Sequence, residues 1–410
     1  MLRRLILLVL VSIAVPRLAM AEPKALRDVL PAPTGEYAVG RSTFYWKDAT
    51  RQDTLSDGSR HDRELRVDVW YPAKVDANCV KAAYCPDLQA VKTKMGLETA
   101  AMGTIATHTY ADAPLVSSAA KFPVILFSPG YGTNANQYTA LAEELVSHGY
   151  LVATVDHPYQ SAAIAYPDGR VIALKDANES KQPPANGQQA LEHYRQRVQV
   201  RVEDLRLALD QLKALDQGRP DGRFAGRFDC DRVGIIGHSL GGVAAPALCL
   251  ADPRVKACIN MDGHANSLPI IPDEQGQGPR QPFLELTDQA VPPAPSDAQL
   301  AKWNVTREQF DKTVADQARR YETLMQTISG GSYRVTVPGA THQSFSDGVL
   351  WIAANPKEHQ RRTQIIRDYT RAFFDKYLRG ANDTMLDAPA RPYENVTVER
   401  FMPRPGAVRQ

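Results

Sequence analysis

The hexapeptide Gly237–Gly242, with the sequence GHSLGG, restricts the fold of this chain more than any other stretch. The apolar run Val233–Ile236 precedes it, and small and apolar residues at helical spacing follow over 243–248. These patterns predict a buried strand and then a helix, which places the hexapeptide in the turn between them. A side chain at Gly237 or Gly241 would collide with the neighbouring strand and helix. The serine at the centre of the turn is then expected to point its hydroxyl out of the sheet.

A G-x-S-x-G turn between a strand and a helix is the nucleophile elbow of the α/β-hydrolase fold. The rest of the chain fits that fold, because its short continuous apolar runs predict parallel strands that are covered on both faces. These runs are Pro123–Phe127 and Leu151–Val155. Further strands are predicted over Val255–Asn260, Phe283–Leu286 and Tyr333–Val337. Helical patterns alternate with them, including an apolar stripe from Tyr194 to Leu212 and a final helix over 358–378. We predict a mostly parallel, doubly wound α/β sheet with helices on both faces.

Two strands are predicted before the parallel ones. Tyr37–Trp46 is strand-like, and the alternation of apolar and polar residues over Leu65–Tyr71 indicates a half-buried, antiparallel edge strand. The segments 76–118 and 288–330 are interpreted as insertions into a single catalytic domain that covers 22–410. Whether the second insertion forms a lid stays open.

The first 21 residues have the pattern of a secretory signal peptide. A short basic start precedes the apolar run Leu5–Val15, and residues 19–21 form a small-x-small cleavage site. An uncleaved anchor is the weaker interpretation because Pro16 and Arg17 interrupt the apolar run. No other stretch approaches the ~18 apolar residues of a membrane span, so we expect an exported protein, periplasmic or secreted, without an integral membrane segment.

Charge and cysteine usage limit the partners and cofactors. Cleavage after Ala21 removes three arginines and lowers the formal net charge from +2 to −1, which gives no indication of nucleic-acid binding. Cys79 and Cys85 are candidates for one disulfide, and two of the remaining three cysteines are candidates for a second. These three are Cys230, Cys249 and Cys258. The cysteine spacing matches no metal site, and no cofactor is predicted.

A serine hydroxyl becomes a nucleophile when a histidine takes its proton and a carboxylate orients that histidine. In this fold the acid and then the histidine follow the serine along the chain. His342 lies between the last predicted strand and the final helix, whereas His264 comes too early and His359 falls inside the helix. His238 is within the elbow and is expected to point away from the serine. The order along the chain therefore selects His342 as the base.

Two carboxylates are candidates for the acid. Asp262 ends the strand after the elbow and Asp288 ends the next strand. Both lie at the edge of the sheet where α/β sites form, so the residues alone do not separate them.

Four motifs occur in a fixed order: FSPGYG at 127–132, SHGY at 147–150, GHSLGG at 237–242 and HQSFSD at 342–347. Together they resemble the platelet-activating factor acetylhydrolase family, over about Lys121 to His342 and weakly over Leu65–Pro72. The resemblance implies an α/β-hydrolase that acts as a serine esterase or phospholipase without a metal. In that family the acid follows the strand after the elbow, which favours Asp262. Asp288 then remains the alternative, with a helix cap or a surface charge as its other role.

The resemblance also implies an oxyanion hole made of two backbone N–H groups, those of Leu240 and Tyr131. Loss of one such donor typically slows catalysis by ~10²–10³-fold. The family's usual loop has a histidine where this chain has Pro129. Proline removes a donor at its own position but not at Tyr131, so the departure affects the shape of the loop and of the acyl pocket.

The predicted activity is hydrolysis of carboxylic esters with short to medium acyl chains through an acyl-enzyme. A phospholipase acting on short-acyl or oxidised phospholipids is the first alternative, because Leu115, Val116 and Trp351 could form an apolar entry surface. An amidase or peptidase would use the same three residues. A non-catalytic binding protein on this scaffold is expected to have lost one of the three positions, and all are filled.

Overall fold

The structure is a computed structural model, and it describes residues 27–54, 58–95, 100–117, 120–174, 187–263, 278–288, 295–302, 305–352, 356–382, 385–387 and 392–403. The predicted signal peptide and His264 lie outside the described residues. The strands are β1 (Ala38–Thr54), β2 (Arg60–Ala73), β3 (Thr109–Ala111), β4 (Phe122–Ser128), β5 (Leu151–Asp156), β6 (Ala163–Ala165), β7 (Val171–Ala173), β8 (Phe228–His238), β9 (Val255–Met261), β10 (Phe283–Asp288), β11 (Ser332–Val337) and β12 (Thr397–Phe401). The helices are α1 (Leu88–Met95), α2 (Thr139–Ser147), α3 (Gly187–Asp216), α4 (Leu240–Ala251), α5 (Asp297–Lys302), α6 (Arg307–Met325), α7 (Gly348–Ile352) and α8 (Pro356–Arg379).

Ten of the described strands form one sheet, in the order β12-β11-β10-β9-β8-β4-β5-β2-β1-β3. The six strands from β11 to β5 run parallel, whereas β2, β1 and β12 add antiparallel pairings. The predicted mostly parallel α/β sheet is therefore confirmed. Because the parallel strands share a direction, their carboxyl ends meet at one edge, which is where sites form in this class of fold.

The prediction of an edge strand over Leu65–Tyr71 was wrong. β2 lies inside the sheet between β5 and β1, and its residues from Arg63 to Ala73 are all buried. Burial of its polar side chains is possible because they are paired: Arg66 Nη1 donates to Asp156 Oδ2 at 3.1 Å, and Asp68 Oδ1 accepts from Thr43 at 2.6 Å. The alternation in sequence thus reflects charges paired within the protein rather than a face in water.

Helices cover both faces of the sheet. α3 and α4 pack against one face, and α2 and α8 pack against the other. The predicted stripe on α3 is buried in the first of these layers, at Val198, Val202, Leu205, Leu209 and Leu212. A helix this long is stabilised mainly by packing one apolar stripe against the sheet.

The two predicted insertions contain regular structure that joins the sheet and the core. In the first, β3 pairs parallel to β1 and extends the sheet by one strand. In the second, Tyr321, Leu324 and Met325 near the end of α6 are buried in the core layer of α3 and α4. The single-domain organisation stays a prediction.

The expected disulfides are not formed: the five cysteines, all within the described residues, are free thiols. The Cys79 thiol lies 3.7 Å from Asp76 Oδ1 in its own turn. Cys258 is buried on β9 beside Cys249 of α4, and burial raises the pKa of its thiol. Among the described residues, no helix combines the length and apolar character needed to span a membrane.

Candidate active site

The turn between β8 and α4 holds Ser239 in a strained backbone conformation, with φ of 56° and ψ of −120°. Residues with a side chain rarely adopt positive φ, and such strain costs about 1–3 kcal/mol. The Ser239 N–H donates to the carbonyl of Met261 at 2.9 Å, which ties the turn to the end of β9. The surrounding backbone therefore fixes the serine, partly exposed, at the carboxyl edge of the sheet.

Close backbone packing explains the glycines of the elbow. A Cβ on Gly237 would lie 2.1 Å from the carbonyl oxygen of Gly241. A Cβ on Gly241 would lie 1.9 Å from the carbonyl oxygen of Ser128, at the end of β4. Both separations are shorter than any van der Waals contact, so a side chain at either position would force the elbow apart.

The structure brings Ser239, His342 and Asp262 together, and we call these three residues the candidate triad. His342 Nε2 lies 3.0 Å from Ser239 Oγ, and His342 Nδ1 lies 2.5 Å from Asp262 Oδ2. Each residue follows a different parallel strand: Ser239 follows β8, Asp262 follows β9 and His342 follows β11. Of the two carboxylates that the residues left open, Asp262 is therefore the one placed against Nδ1.

The contacts of the candidate triad define the state of its histidine. The Asp262 carboxylate accepts hydrogen bonds, so Nδ1 carries the hydrogen and Nε2 presents a lone pair to the serine hydroxyl. Asp262 is 4% exposed, its own N–H donates to the carbonyl of Leu286 at 2.8 Å, and its Oδ1 lies 3.5 Å from Thr287 Oγ1. His342 is partly exposed. This arrangement can take a proton from the serine and stabilise the resulting imidazolium.

The two expected oxyanion donors belong to two different elements of the fold. Leu240 is the first residue of α4, and Tyr131 is in the loop that follows β4, residues 129–133, which we call the oxyanion loop. On either side of Tyr131 the backbone N–H groups are used within the protein. That of Gly130 donates to the Tyr138 hydroxyl at 3.0 Å, and that of Gly132 donates to the carbonyl of Gln160 at 2.8 Å.

A buried arginine on α3 holds the oxyanion loop, and no sequence pattern predicted this contact. Arg201 donates to the carbonyl of Pro129 and, at 3.4 Å, to that of Gly130. Gln160 Oε1 accepts from Arg201 Nε at 2.8 Å, and the arginine is fully buried. A guanidinium can satisfy several carbonyls in one plane, which suits it to fix a loop.

His238 of the elbow, predicted to point away from the serine, contacts His342. The two rings lie side by side, with centroids 4.6 Å apart. Its Nε2 lies 3.0 Å from the backbone oxygen of His342. The elbow histidine therefore contacts the residue that the sequence selects as the base.

A second Ser–His–Asp arrangement lies beneath the oxyanion loop. We call it the buried triad, and it consists of Ser128, His157 and Asp204. The histidine Nε2 lies 3.0 Å from the serine Oγ, and its Nδ1 lies 2.9 Å from the aspartate Oδ2. No local spacing in the sequence connects these residues, because they come from β4, the position after β5 and α3.

With this geometry in place, comparison with known proteins decides the family. The family model described as platelet-activating factor acetylhydrolase, isoform II, matches residues 25–354. The chain belongs to this family. The match covers most of the chain and includes all three positions of the candidate triad.

Relatives and a solved structure agree with that family. A probable 1-alkyl-2-acetylglycerophosphocholine esterase from Arthroderma benhamiae is 24% identical, over 90% of this chain and 93% of its own length. The platelet-activating factor acetylhydrolase of Cavia porcellus is 34% identical over 35% of each chain. A ferulic acid esterase from Streptomyces cinnamoneus superposes with a TM-score of 0.67 at 27% identity, over 90% of this chain and 98% of its own. The protein is therefore a serine ester hydrolase of the α/β-hydrolase fold, as the sequence predicted.

Proposed function

We propose that Ser239, His342 and Asp262 form the catalytic triad of this hydrolase. The observation that carries the proposal is the pair of hydrogen bonds made by His342, 3.0 Å to the serine and 2.5 Å to the aspartate. His342 takes the hydroxyl proton as Ser239 attacks the ester carbonyl, and it then protonates the leaving alcohol. Water releases the acyl group by the same route in reverse. The N–H groups of Leu240 and Tyr131 bind the oxyanion. No step requires a cofactor.

We propose carboxylic esters with short to medium acyl chains as the substrates. Two relatives support a short acyl group by their names, since one is an acetylglycerophosphocholine esterase and the other an acetylhydrolase. The large apolar side chains that are exposed in the described part of the chain are Val80, Leu250, Val314 and Met402. Leu115 and Val116, predicted for an apolar entry surface, are instead partly buried against the core. Hydrolysis of short-acyl phospholipids is the second candidate, on the strength of the relatives' names.

We also propose that the protein is exported, to the periplasm or the medium. The basic start, the apolar run and the small-x-small site within Met1–Ala21 support it. Fractionation of producing cells, with sequencing of the mature N-terminus, tests this part. A mature chain beginning at Glu22 agrees with it, and a cytoplasmic chain beginning at Met1 contradicts it.

The substrate is tested with p-nitrophenyl esters of increasing acyl length, a short-acyl phospholipid and a p-nitroanilide. Each is assayed with the wild-type protein and with Ser239→Ala. We expect the highest kcat/KM on the short soluble esters and no turnover in the variant. Preference for emulsified long-chain substrate would overturn the choice of soluble esters, and preference for the anilide would make the protein an amidase.

A further inference from the structure

Tyr138 and His238 connect the oxyanion loop to the loop that carries His342. Tyr138 ends the short 3-10 turn Ala135–Tyr138 before α2, and His238 ends β8. Both are buried, at 1% and 2% exposure. Three hydrogen bonds form the connection: 3.0 Å from Gly130 N to the Tyr138 oxygen, 2.8 Å from that oxygen to His238 Nδ1, and 3.0 Å from His238 Nε2 to the backbone oxygen of His342.

Elementary chemistry sets the direction of each bond. A backbone carbonyl only accepts, so His238 Nε2 carries a hydrogen and donates to the oxygen of His342. In the neutral ring Nδ1 is then the acceptor, and the hydroxyl of Tyr138 donates to it. Burial raises the pKa of Tyr138 to about 12, so the phenol keeps its proton at neutral pH. Its oxygen accepts the N–H of Gly130, so each of the three hydrogen bonds has a defined donor and acceptor.

The connection, together with Thr133 and Arg201, holds the backbone of Gly130, the residue before the Tyr131 N–H. A trans peptide points its C=O and its N–H in opposite directions. The Gly130 carbonyl is held on one side by Thr133 Oγ1 at 3.0 Å and by Arg201 at 3.4 Å, which directs the Tyr131 N–H to the other side. The Gly130 N–H is held by Tyr138, so the residue before the oxyanion donor is fixed at both of its backbone groups.

Packing at Gly130 shows how closely the two side chains support the loop. A Cβ at this position would lie 3.4 Å from the Tyr138 oxygen and 3.4 Å from His238 Nδ1. The Thr133 hydroxyl would lie at 3.3 Å from the same position, so these three side chains line the space beside the Gly130 Cα.

We propose that Tyr138 and His238 are positioning residues that hold the oxyanion donor and the base in fixed register around Ser239. This inference rests on the proposed function, because it assigns Tyr131 and His342 the roles given there. The oxyanion donor and the base act in the same transition state. Displacement of either one therefore lowers the rate even when the other is correctly placed. A displacement of about 1 Å can cost about 10²-fold in rate.

The experiment compares Tyr138→Phe, His238→Gln and His238→Ala with the wild type. Each is assayed for kcat and KM on p-nitrophenyl acetate, and for inhibition by an aryl trifluoromethyl ketone, which adds to a reactive serine and places an oxyanion in the hole. Tyr150→Phe is the matched control, since its buried hydroxyl bonds Asp375 at 2.6 Å, away from the candidate triad.

We expect Tyr138→Phe to lower kcat about 10- to 100-fold with little change in KM, and to weaken the ketone by a similar factor. Glutamine has both a donor and an acceptor, so His238→Gln should retain more activity than His238→Ala. The double variant Tyr138→Phe/His238→Ala should be no slower than the slower single variant, because either change breaks the same connection. Tyr150→Phe should match the wild type in kcat and in ketone inhibition.

Two results would overturn the inference. One is that Tyr138→Phe loses only thermal stability, with kcat per folded enzyme and ketone inhibition unchanged. The other is that the losses in Tyr138→Phe and His238→Ala multiply in the double variant, which would make them independent. Full activity in Ser239→Ala would refute the proposed function and the inference together, whereas an inactive Ser239→Ala beside an unaffected Tyr138→Phe refutes the inference alone.

Discussion

The candidate triad and the buried triad have nearly the same internal geometry in very different surroundings. The distances from the histidine to the serine are 3.0 Å in both, and those to the aspartate are 2.5 Å and 2.9 Å. Distances alone therefore do not identify a catalytic site in this protein. The difference lies in access, in backbone conformation and in the charges nearby.

Access and backbone separate the two serines. All three side chains of the buried triad are completely buried, whereas Ser239 and His342 are partly exposed. Ser128 is the last residue of a regular strand, while Ser239 is held at positive φ beyond the end of its strand. An ester can reach a serine that projects from the edge of the sheet, and it cannot reach one within the sheet.

Charge separates the two histidines. Burial, together with the nearby Arg201, lowers the pKa of His157 to about 4. Arg201 also donates to Ser128 Oγ at 3.1 Å, and Arg63 holds both oxygens of Asp204 at 2.7 Å. A base must become an imidazolium during catalysis, and this position disfavours that charge. The buried triad therefore holds structure together, beneath the loop that Arg201 supports.

The largest expected effect on activity distinguishes Ser239 from Ser128. Ser239→Ala should lower kcat by about 10⁶-fold, as in other triads that lose their nucleophile. Ser128→Ala should leave kcat of the folded enzyme nearly unchanged, because its hydroxyl only bridges His157 and Arg201. Hydrolysis of p-nitrophenyl acetate, normalised by titration of folded protein, measures both. Loss of turnover in Ser128→Ala equal to that in Ser239→Ala would contradict the different roles assigned to the two serines.

The next effect concerns the acid. Asp262→Asn should lower kcat by about 10⁴-fold, because the amide favours the wrong imidazole tautomer. Asp288→Asn is the matched control at the end of the neighbouring strand and should have a much smaller effect. Steady-state kinetics of the two variants decides between them, and a larger loss in Asp288→Asn would assign the acid to that residue.

The buried aspartate should affect stability instead of chemistry. Asp204→Asn removes the fully buried carboxylate that pairs with Arg63 and Arg51, and leaves Asp53 as the charged partner of Arg63. It should lower the free energy of unfolding by about 3–5 kcal/mol, with kcat of the folded enzyme retained. Asp229→Asn is the control, since Asp229 pairs with the more exposed Arg232 at 2.6 Å and should cost no more than about 1 kcal/mol. Urea unfolding followed by tryptophan fluorescence measures both. Equal losses of stability would contradict this role for Asp204.

The smallest expected effect is a pH dependence of stability. The pKa of His157 is about 4 in the folded protein against an ordinary value of 6.5, so below pH 6.5 the unfolded chain binds a proton that the folded chain does not. Stability therefore falls as the pH is lowered from 6.5 towards 4. Between pH 7 and pH 5 the free energy of unfolding should fall by about 2 kcal/mol from this group.

His157→Gln tests this effect, because glutamine does not titrate. The variant should have a flatter dependence of unfolding free energy on pH between 7 and 5 than the wild type. Urea unfolding at the two pH values gives the comparison. Identical pH dependence in the two proteins would show that His157 is not the titrating group.

The sequence predicted the fold and much of the candidate triad for a local reason. The elbow is a six-residue pattern bounded by a strand and a helix, and the order of residues along an α/β-hydrolase places His342 after the last strand. Asp262 was separated from Asp288 only by a resemblance, since both end a strand. The prediction that β2 is an edge strand was wrong. Its polar residues Arg66 and Asp68 suggested a face in contact with water, but they are hydrogen-bonded inside the protein.

By itself, then, the sequence determined the elbow, the parallel sheet and the candidate base, because each depends on spacing within a short segment or on order along the chain. The tertiary structure alone decided that His238 contacts His342, that Arg201 holds the oxyanion loop and that a second Ser–His–Asp arrangement is buried. These contacts join residues 70 or more positions apart or come from three separate elements. Burial and charge at such contacts depend on which elements pack together, and a local sequence pattern does not indicate which elements those are.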